Sequence, residues 1–139
     1  MTDWDPALYH RFRQYRSEPV ELIFKRLELG PNENIADLGC GTGEHTIELA
    51  RRSPGGVATG IDSSPAMIDT ALKLRASLEE NLRNRVRFVR DDLRNLIAAN
   101  TYSVIFSNAA LQWISDQQPV FAACFNALKA GGRLVVQMP

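Results

Sequence analysis

Cysteine and histidine are scarce in this chain, two of each: Cys40 and Cys124, His10 and His45. The cysteines are too few and too widely separated for a disulfide framework or a metal knuckle. The histidines have no ligand-like spacing, and together these absences argue against a structural metal. Long hydrophobic runs are also lacking: the apolar stretches are a few residues each, far below the roughly 20 needed to span a bilayer. The opening MTDWDPALYH does not have the basic-then-apolar layout of a secretory signal, so a cytosolic location is expected. There is no excess of either charge, 16 basic residues facing 16 acidic ones, so neither a nucleic acid nor a membrane surface is advertised as a partner. Repeats, low-complexity tracts and flexible linkers are missing too. What is present, 139 residues of which 45% are hydrophobic and 23% charged, fits one globular domain with a real core.

Along the chain, DPALYHRFRQY opens with Asp5 as N-cap and Pro6 at the first helical position, with Leu8, Phe12 and Tyr15 near one face. SEPVELIFKRLEL places Val20, Ile23, Phe24 and Leu27 at i, i+3, i+4 and i+7, a second helix packed on a core and stopped by the GPNEN turn. From there strands and helices alternate. NIADL, VATGID, VRFVRD, YSVIFSN and RLVVQM are the strand candidates, apolar enough for a sheet buried on both faces. The helices between them are 43–52, 64–80 with Ser64 as N-cap and Pro65 at the first position, a short one in RNLIAA, and QPVFAACFNAL closed by KAGG. This alternation predicts an α/β fold with a doubly wound, mostly parallel five-stranded sheet.

In such a sheet a ligand sits beyond the carboxyl ends of the strands, beside the first one. IADLGCGTGEHT lies there. Its glycines, Gly39, Gly41 and Gly43, give G-x-G-x-G, whereas the dinucleotide fingerprint is G-x-G-x-x-G, and Glu44 stands where the last glycine would be. No G-K-[ST] follows, which excludes a phosphate-binding P-loop. Asp37 precedes the turn and Glu44 follows it, so two carboxylates flank the place where a dinucleotide would bring two phosphates. About 20 residues on, Asp62 ends the second strand, where a carboxylate accepts hydrogen bonds from the hydroxyls of a ribose. The pattern points to a nucleoside ligand carrying positive charge.

S-adenosylmethionine meets that description. DLGCGTG, GIDSSPAMI, VRDDL and FSNAALQW resemble, in order, the cofactor motifs of class I S-adenosylmethionine-dependent methyltransferases. WDPALYHRF with the R and P that follow it, IDSSPAMI, NAALQWI and VQMP resemble the trans-aconitate methyltransferase group within that class, over the first half or so of a typical member. The resemblance implies a Rossmann-like core with strand order 3-2-1-4-5 over 31–139, and N-terminal helices over 1–30 that cap the site. It also implies that the last two strands of a typical member have no counterpart here.

The resemblance assigns S-adenosylmethionine to Asp37, Gly39, Cys40, Gly41, Gly43, Asp62, Ser63, Met67, Asp92, Leu93 and Asn108. Cys40 reads as a small packing residue of the turn rather than a nucleophile, since no base is placed to activate it. Asp92 and the Leu93 N–H match the adenine contacts of the class, the plain alternative being an N-cap for LRNLI. Met67 suits an adenine face or the core equally, and Ser63 and Ser64 are first of all capping residues. Asn108 ends the fourth strand, where it and Tyr9 would position the reacting groups. Ala109 follows instead of Pro-Pro-aromatic, so the motif of base-modifying amino methylases is absent. Tyr9, Arg16, Gln112 and Trp113 are the expected contacts of the acceptor, although a lone tryptophan also serves as packing.

The implied reaction is O-methylation of a small carboxylic acid such as trans-aconitate. A carboxylate with an ordinary pKa near about 4 is already ionised at neutral pH and needs no general base. No catalytic residue is therefore singled out, and alignment and water exclusion carry the rate. The apolar fifth strand would stand as an open edge, to be paired with a second copy or with further chain. Two other readings stay open: a cofactor-binding module without activity of its own, and an NAD-type oxidoreductase, which the glycine register disfavours.

Overall fold

A computed structural model of the chain describes residues 5–7 and 13–138, with side chains in the first helix described from Val20 onward. The elements in order are helix α1 (Arg13–Arg26), strand β1 (Asn34–Leu38), α2 (Glu44–Arg51), β2 (Val57–Asp62), α3 (Pro65–Ala76), α4 (Glu80–Asn84), β3 (Val86–Arg90), β4 (Tyr102–Asn108), α5 (Gln118–Ala127) and β5 (Leu128–Gln137). Single 3-10 turns lie at Leu93–Asn95 and Leu111–Trp113.

All five strands run parallel in the order β3-β2-β1-β4-β5, the order expected. The order reverses between β1 and β4, so the crevice outside their carboxyl ends is the topological switch point. Side chains alternate across β1. Ile35 joins Val20, Phe24, Ile47, Leu49, Val104 and Phe106 in a core under α1 and α2. Ala36 and Leu38 join Ile105, Leu111, Val120 and Cys124 in a second core under α5. A two-sided sheet needs both layers.

The strand expectations hold to within a residue or two at the first four strands. The fifth is longer than RLVVQM, because Leu128 is already in register with Tyr102; KAGG then forms the irregularity between that pair and the pairing of Arg133 with Val104. Gly131, at φ 78°, supplies the left-handed residue that this irregularity needs. Burial on both faces holds for the central strands only; β3 and β5 are edges with most side chains partly or fully exposed.

The helices depart further from expectation. The break expected near Ser17 is absent: α1 runs from Arg13 through Pro19 to Arg26. Proline removes one backbone bond, and burial of Val20 and Phe24 outweighs that loss. Phe24 stacks on Phe106 with ring centroids 5.6 Å apart, and Arg52 lies over its other side while donating to the Phe24 carbonyl at 2.8 Å. The 64–80 helix ends at Ala76, and α4 forms separately. RNLIAA keeps only a 3-10 turn, too short to cover the sheet as a helix would. Asp5 accepts from the Ala7 N–H at 2.9 Å, as an N-cap does.

Candidate functional site

β1 delivers the chain to the switch point, and the glycine turn redirects it into α2. Gly39, Gly41 and Gly43 all have positive φ, at 72°, 56° and 94°. Space requires glycine as well. A Cβ at Gly43 would lie 2.6 Å from the Phe88 ring, and one at Gly39 would lie 2.3 Å from the Ala110 Cβ. The turn is therefore wedged between β3 and the loop after β4.

Its N–H groups are largely spent inside the protein. Gly39 and Cys40 both donate to the Ile61 carbonyl, at 2.8 and 3.1 Å, and Gly43 donates to the Cys40 carbonyl at 3.1 Å. The Gly41 N–H donates to Asp62 Oδ2 at 2.9 Å. A phosphate cradle needs such groups pointing outward, so the geometry agrees with the register in opposing a pyrophosphate. It also limits how far the turn can serve a ligand carboxylate.

The acids are held individually. Asp37, on the α2 side of β1, is buried and accepts from the Thr46 hydroxyl at 2.6 Å. Burial pushes its pKa from the usual carboxylate range to about 7; the Thr46 hydroxyl works against this and the Asp62 charge adds to it. Asp62 accepts from the Gly41 N–H through one oxygen and from the Ser64 N–H through the other, 2.9 Å each. Each carboxylate oxygen has a second lone pair to offer. The Glu44 carboxylate accepts from the Thr42 hydroxyl at the entrance to α2. Cys40 is buried, its thiol driven upward first by burial and then by the charges of Asp37 and Asp62, so it is a packing residue and not a thiolate.

Around the second strand, Ser64 caps α3 by accepting from the Met67 N–H at 3.2 Å, and Met67 is buried. The Ser63 carbonyl accepts from Arg90 at 3.4 Å. Asp92 caps the 3-10 turn, accepting from the Arg94 N–H at 2.9 Å and pairing with the Arg94 guanidinium at 2.6 Å. That pairing, chiefly through the side chain, holds the Asp92 pKa down at about 2. The capping role is thus what the structure displays, with Leu93 partly buried against the α5 core. Any adenine contact must share Asp92 with Arg94.

At the end of β4 the picture changes. Asn108 is buried, and among the described residues neither its Oδ1 nor the buried Gln112 Oε1 has a partner. Ala109 between them has φ 55°, unusual for a residue with a Cβ. Trp113 is 67% exposed, which corrects the alternative of a buried packing residue. Tyr9 lies outside the described residues, and of Arg16 only the backbone, within α1, is described. Thr46 and the wedging residues Phe88 and Ala110 were not singled out from the sequence. The signal available was a hydroxyl in the first turns of the helix that follows an acidic strand end.

Among the described residues the site thus offers acids without a matching basic side chain, two orphaned acceptors and a turn with little room for phosphate. Among the described residues no cluster of histidine, cysteine, aspartate and glutamate could hold a metal ion, and no helix is long and apolar enough to cross a membrane.

Known proteins bear on this arrangement. A trans-aconitate 2-methyltransferase of Escherichia coli O1:K1 / APEC is 44% identical over all 139 residues, which cover 52% of that protein. The chain spans about half the length of the curated relatives it matches. An S-adenosylmethionine-dependent methyltransferase of Geobacter sulfurreducens, solved in complex with S-adenosyl-L-homocysteine, superposes with TM-score 0.70 at 28% identity, over 86% of this chain and 47% of that one. A Methanococcus maripaludis structure described as a putative methyltransferase of the same dependence shares the fold, with TM-score 0.79 at 23% identity, over 99% of this chain and 67% of that one. A family model described as a methyltransferase domain matches residues 35–132, from the first strand to the fifth. The chain belongs to the methyltransferase domain family, of the class I, S-adenosylmethionine-dependent fold that its motifs resemble.

Proposed function

We propose that this chain binds S-adenosylmethionine at the glycine turn and directs methyl transfer to a small carboxylic acid of the trans-aconitate kind. The observation that carries the reading is the buried Asp37 carboxylate, which lies behind the turn beside Asp62 with no basic side chain recorded against it among the described residues. A buried acid in that setting calls for a cation, and S-adenosylmethionine has two, a sulfonium and an ammonium. The orphaned Asn108 Oδ1 gives a second point of fit, since a buried acceptor is costly until a donor meets it.

The cofactor, when bound, supplies an electrophilic methyl group. The chain's residues bind and orient. Asp37 faces the cationic methionine end, and Asp62, already fixed by two backbone N–H groups, has lone pairs left for the ribose hydroxyls. Met67, Asp92 and the Leu93 N–H border the adenine, Ser63 sits beside the ribose, and Asn108 stands between cofactor and acceptor. Tyr9 and Arg16, from an N-terminal segment read as a cap over the site, hold the acceptor's carboxylates with Gln112 and Trp113. No general base is assigned, because a carboxylate nucleophile is already ionised. Alignment and exclusion of water can lower the barrier by about 7 to 11 kcal/mol.

Calorimetry with S-adenosylhomocysteine and with NAD, using Asp62→Ala as control, tests the cofactor assignment. Binding of the first alone, lost in the variant, is expected. Incubation with labelled S-adenosylmethionine and trans-aconitate tests the acceptor. One observation favours a second reading, a cofactor-binding module inactive by itself: the β4 end keeps two unpartnered acceptors and an exposed tryptophan where an acceptor pocket should close. That reading predicts binding without transfer, and small-acid methylation by this chain would contradict it.

A further inference from the structure

Asp37 is held by a contact that none of the cofactor motifs names. Thr46 is fully buried one turn into α2, and its hydroxyl reaches across to Asp37 Oδ2 at 2.6 Å. A helical threonine commonly turns its hydroxyl back to the carbonyl four residues earlier; this one donates its only proton to the strand.

The surroundings give that bond its importance. On β2 and β4 the residues in register with Asp37 are Gly60 and Phe106, neither of which donates a side-chain hydrogen bond. Among the described residues the ionisable groups that act on the carboxylate or on the neighbouring Cys40 thiol are Asp62 from β2 and Glu44 at the start of α2, where His45 follows. His45 is turned edge-on to Phe24 and Phe106. Burial and the Asp62 charge both oppose ionisation of Asp37, and among the described residues the Thr46 hydroxyl is the one contact resolved as favouring it.

We infer that Thr46 is a positioning residue, which fixes the Asp37 carboxylate and keeps it ionised so that the site selects a ligand with a cationic end. The inference rests on the cofactor reading above. A threonine that only filled space would be replaced without loss by isosteric valine and less well by serine. One that acts through Asp37 gives the opposite order.

The test is the pH dependence of binding from pH 5.5 to 8.5, measured by calorimetry with two probes: S-adenosylhomocysteine, whose methionine end carries an ammonium, and 5′-methylthioadenosine, an uncharged nucleoside thioether. For the native chain, affinity for the first rises with pH and levels off above about 7, where Asp37 is ionised, while affinity for the second stays flat. Thr46→Val moves the rising limb upward by about one pH unit, which is about fivefold weaker binding at pH 7. Thr46→Ser restores the native limb, Thr46→Ala repeats the valine shift by a different packing change, and His45→Gln leaves the limb in place. An unshifted limb in both the valine and alanine variants, or a serine variant no better than valine, overturns the inference alone. Failure of the native chain to bind either probe overturns the cofactor reading and this inference with it.

Discussion

The two sides of the first strand are finished to different degrees. On the β2 side, the Asp37, Asp62 and Ser64 side chains have partners within the protein, and the N–H groups of Gly39, Cys40, Gly41 and Gly43 are used. On the β4 side, among the described residues, Asn108 and Gln112 keep buried oxygens without partners, Trp113 is exposed, and β5 is an edge of the sheet. The two sheet edges repeat the contrast. β3 carries Arg87 and Arg90, charges that deter pairing with another strand, whereas β5 has its charges, Lys129 and Arg133, in its first part and runs on through the apolar Leu134-Val135-Val136 to Gln137. The difference teaches where a ligand would find groups already held and where it would find acceptors to satisfy: on the first side the acids have protein partners, and on the second Asn108 and Gln112 have none among the described residues.

The contrast can be broken most forcefully at Gly43. Gly43→Ala puts a Cβ into the Phe88 ring at a left-handed φ, and a loss of roughly 2 to 4 kcal/mol is expected, read as a lower urea midpoint together with loss of S-adenosylhomocysteine binding. The next largest effect is the pH dependence of the ligand-free protein. Asp37 has a folded-state pKa of about 7, above the ordinary 3.8, so between those values the folded state holds the extra proton. Stability therefore falls as pH rises from about 4 to about 7, by at most roughly 4 kcal/mol, and it does not recover above that range. Urea titrations at pH 4.5, 6 and 7.5 follow the decline. Asp92, whose pKa is lowered to about 2, acts in the opposite direction only below 3.8, outside that window.

Asp37→Asn removes the buried charge and keeps its shape. At pH 8 it is expected to stabilise the ligand-free chain by roughly 1 to 3 kcal/mol while weakening S-adenosylhomocysteine binding about tenfold or more. Stability and affinity that fell together would show that the acid is a structural element only. The smallest effect belongs to the other side: Trp113→Ala changes thermal stability by less than about 0.5 kcal/mol, since its ring is mostly exposed. A larger change would mean that Trp113 already closes a pocket.

What could be read from the sequence followed local rules. Strand apolarity, the Ser64-Pro65 start of α3 and the glycine register are set by neighbouring residues, and the structure keeps them. The departures occur where distant contacts decide. Packing of Phe24 on Phe106 carries α1 through Pro19, pairing of Leu128 with Tyr102 starts β5 ahead of the KAGG irregularity, and RNLIAA does not sustain a helix. At the site, the acids and glycines stood out by spacing, but the bond that keeps Asp37 poised comes from Thr46 across the turn, and no sequence distance announces a hydroxyl's direction. The assignment of Asp92 to adenine was equally invisible as a competition, because Arg94 enters only through geometry.

Amide chemical-shift mapping during a titration with S-adenosylhomocysteine at pH 8 tests the central claim most directly. The account predicts that the largest shifts fall at Gly39–Gly43, at Asp62–Ser64 and at Leu93, with a smaller one at Asn108 and little at Trp113. Saturation with no shift in the glycine turn, or shifts gathered instead around Arg51 and Arg85 at the opposite end of the sheet, would contradict it.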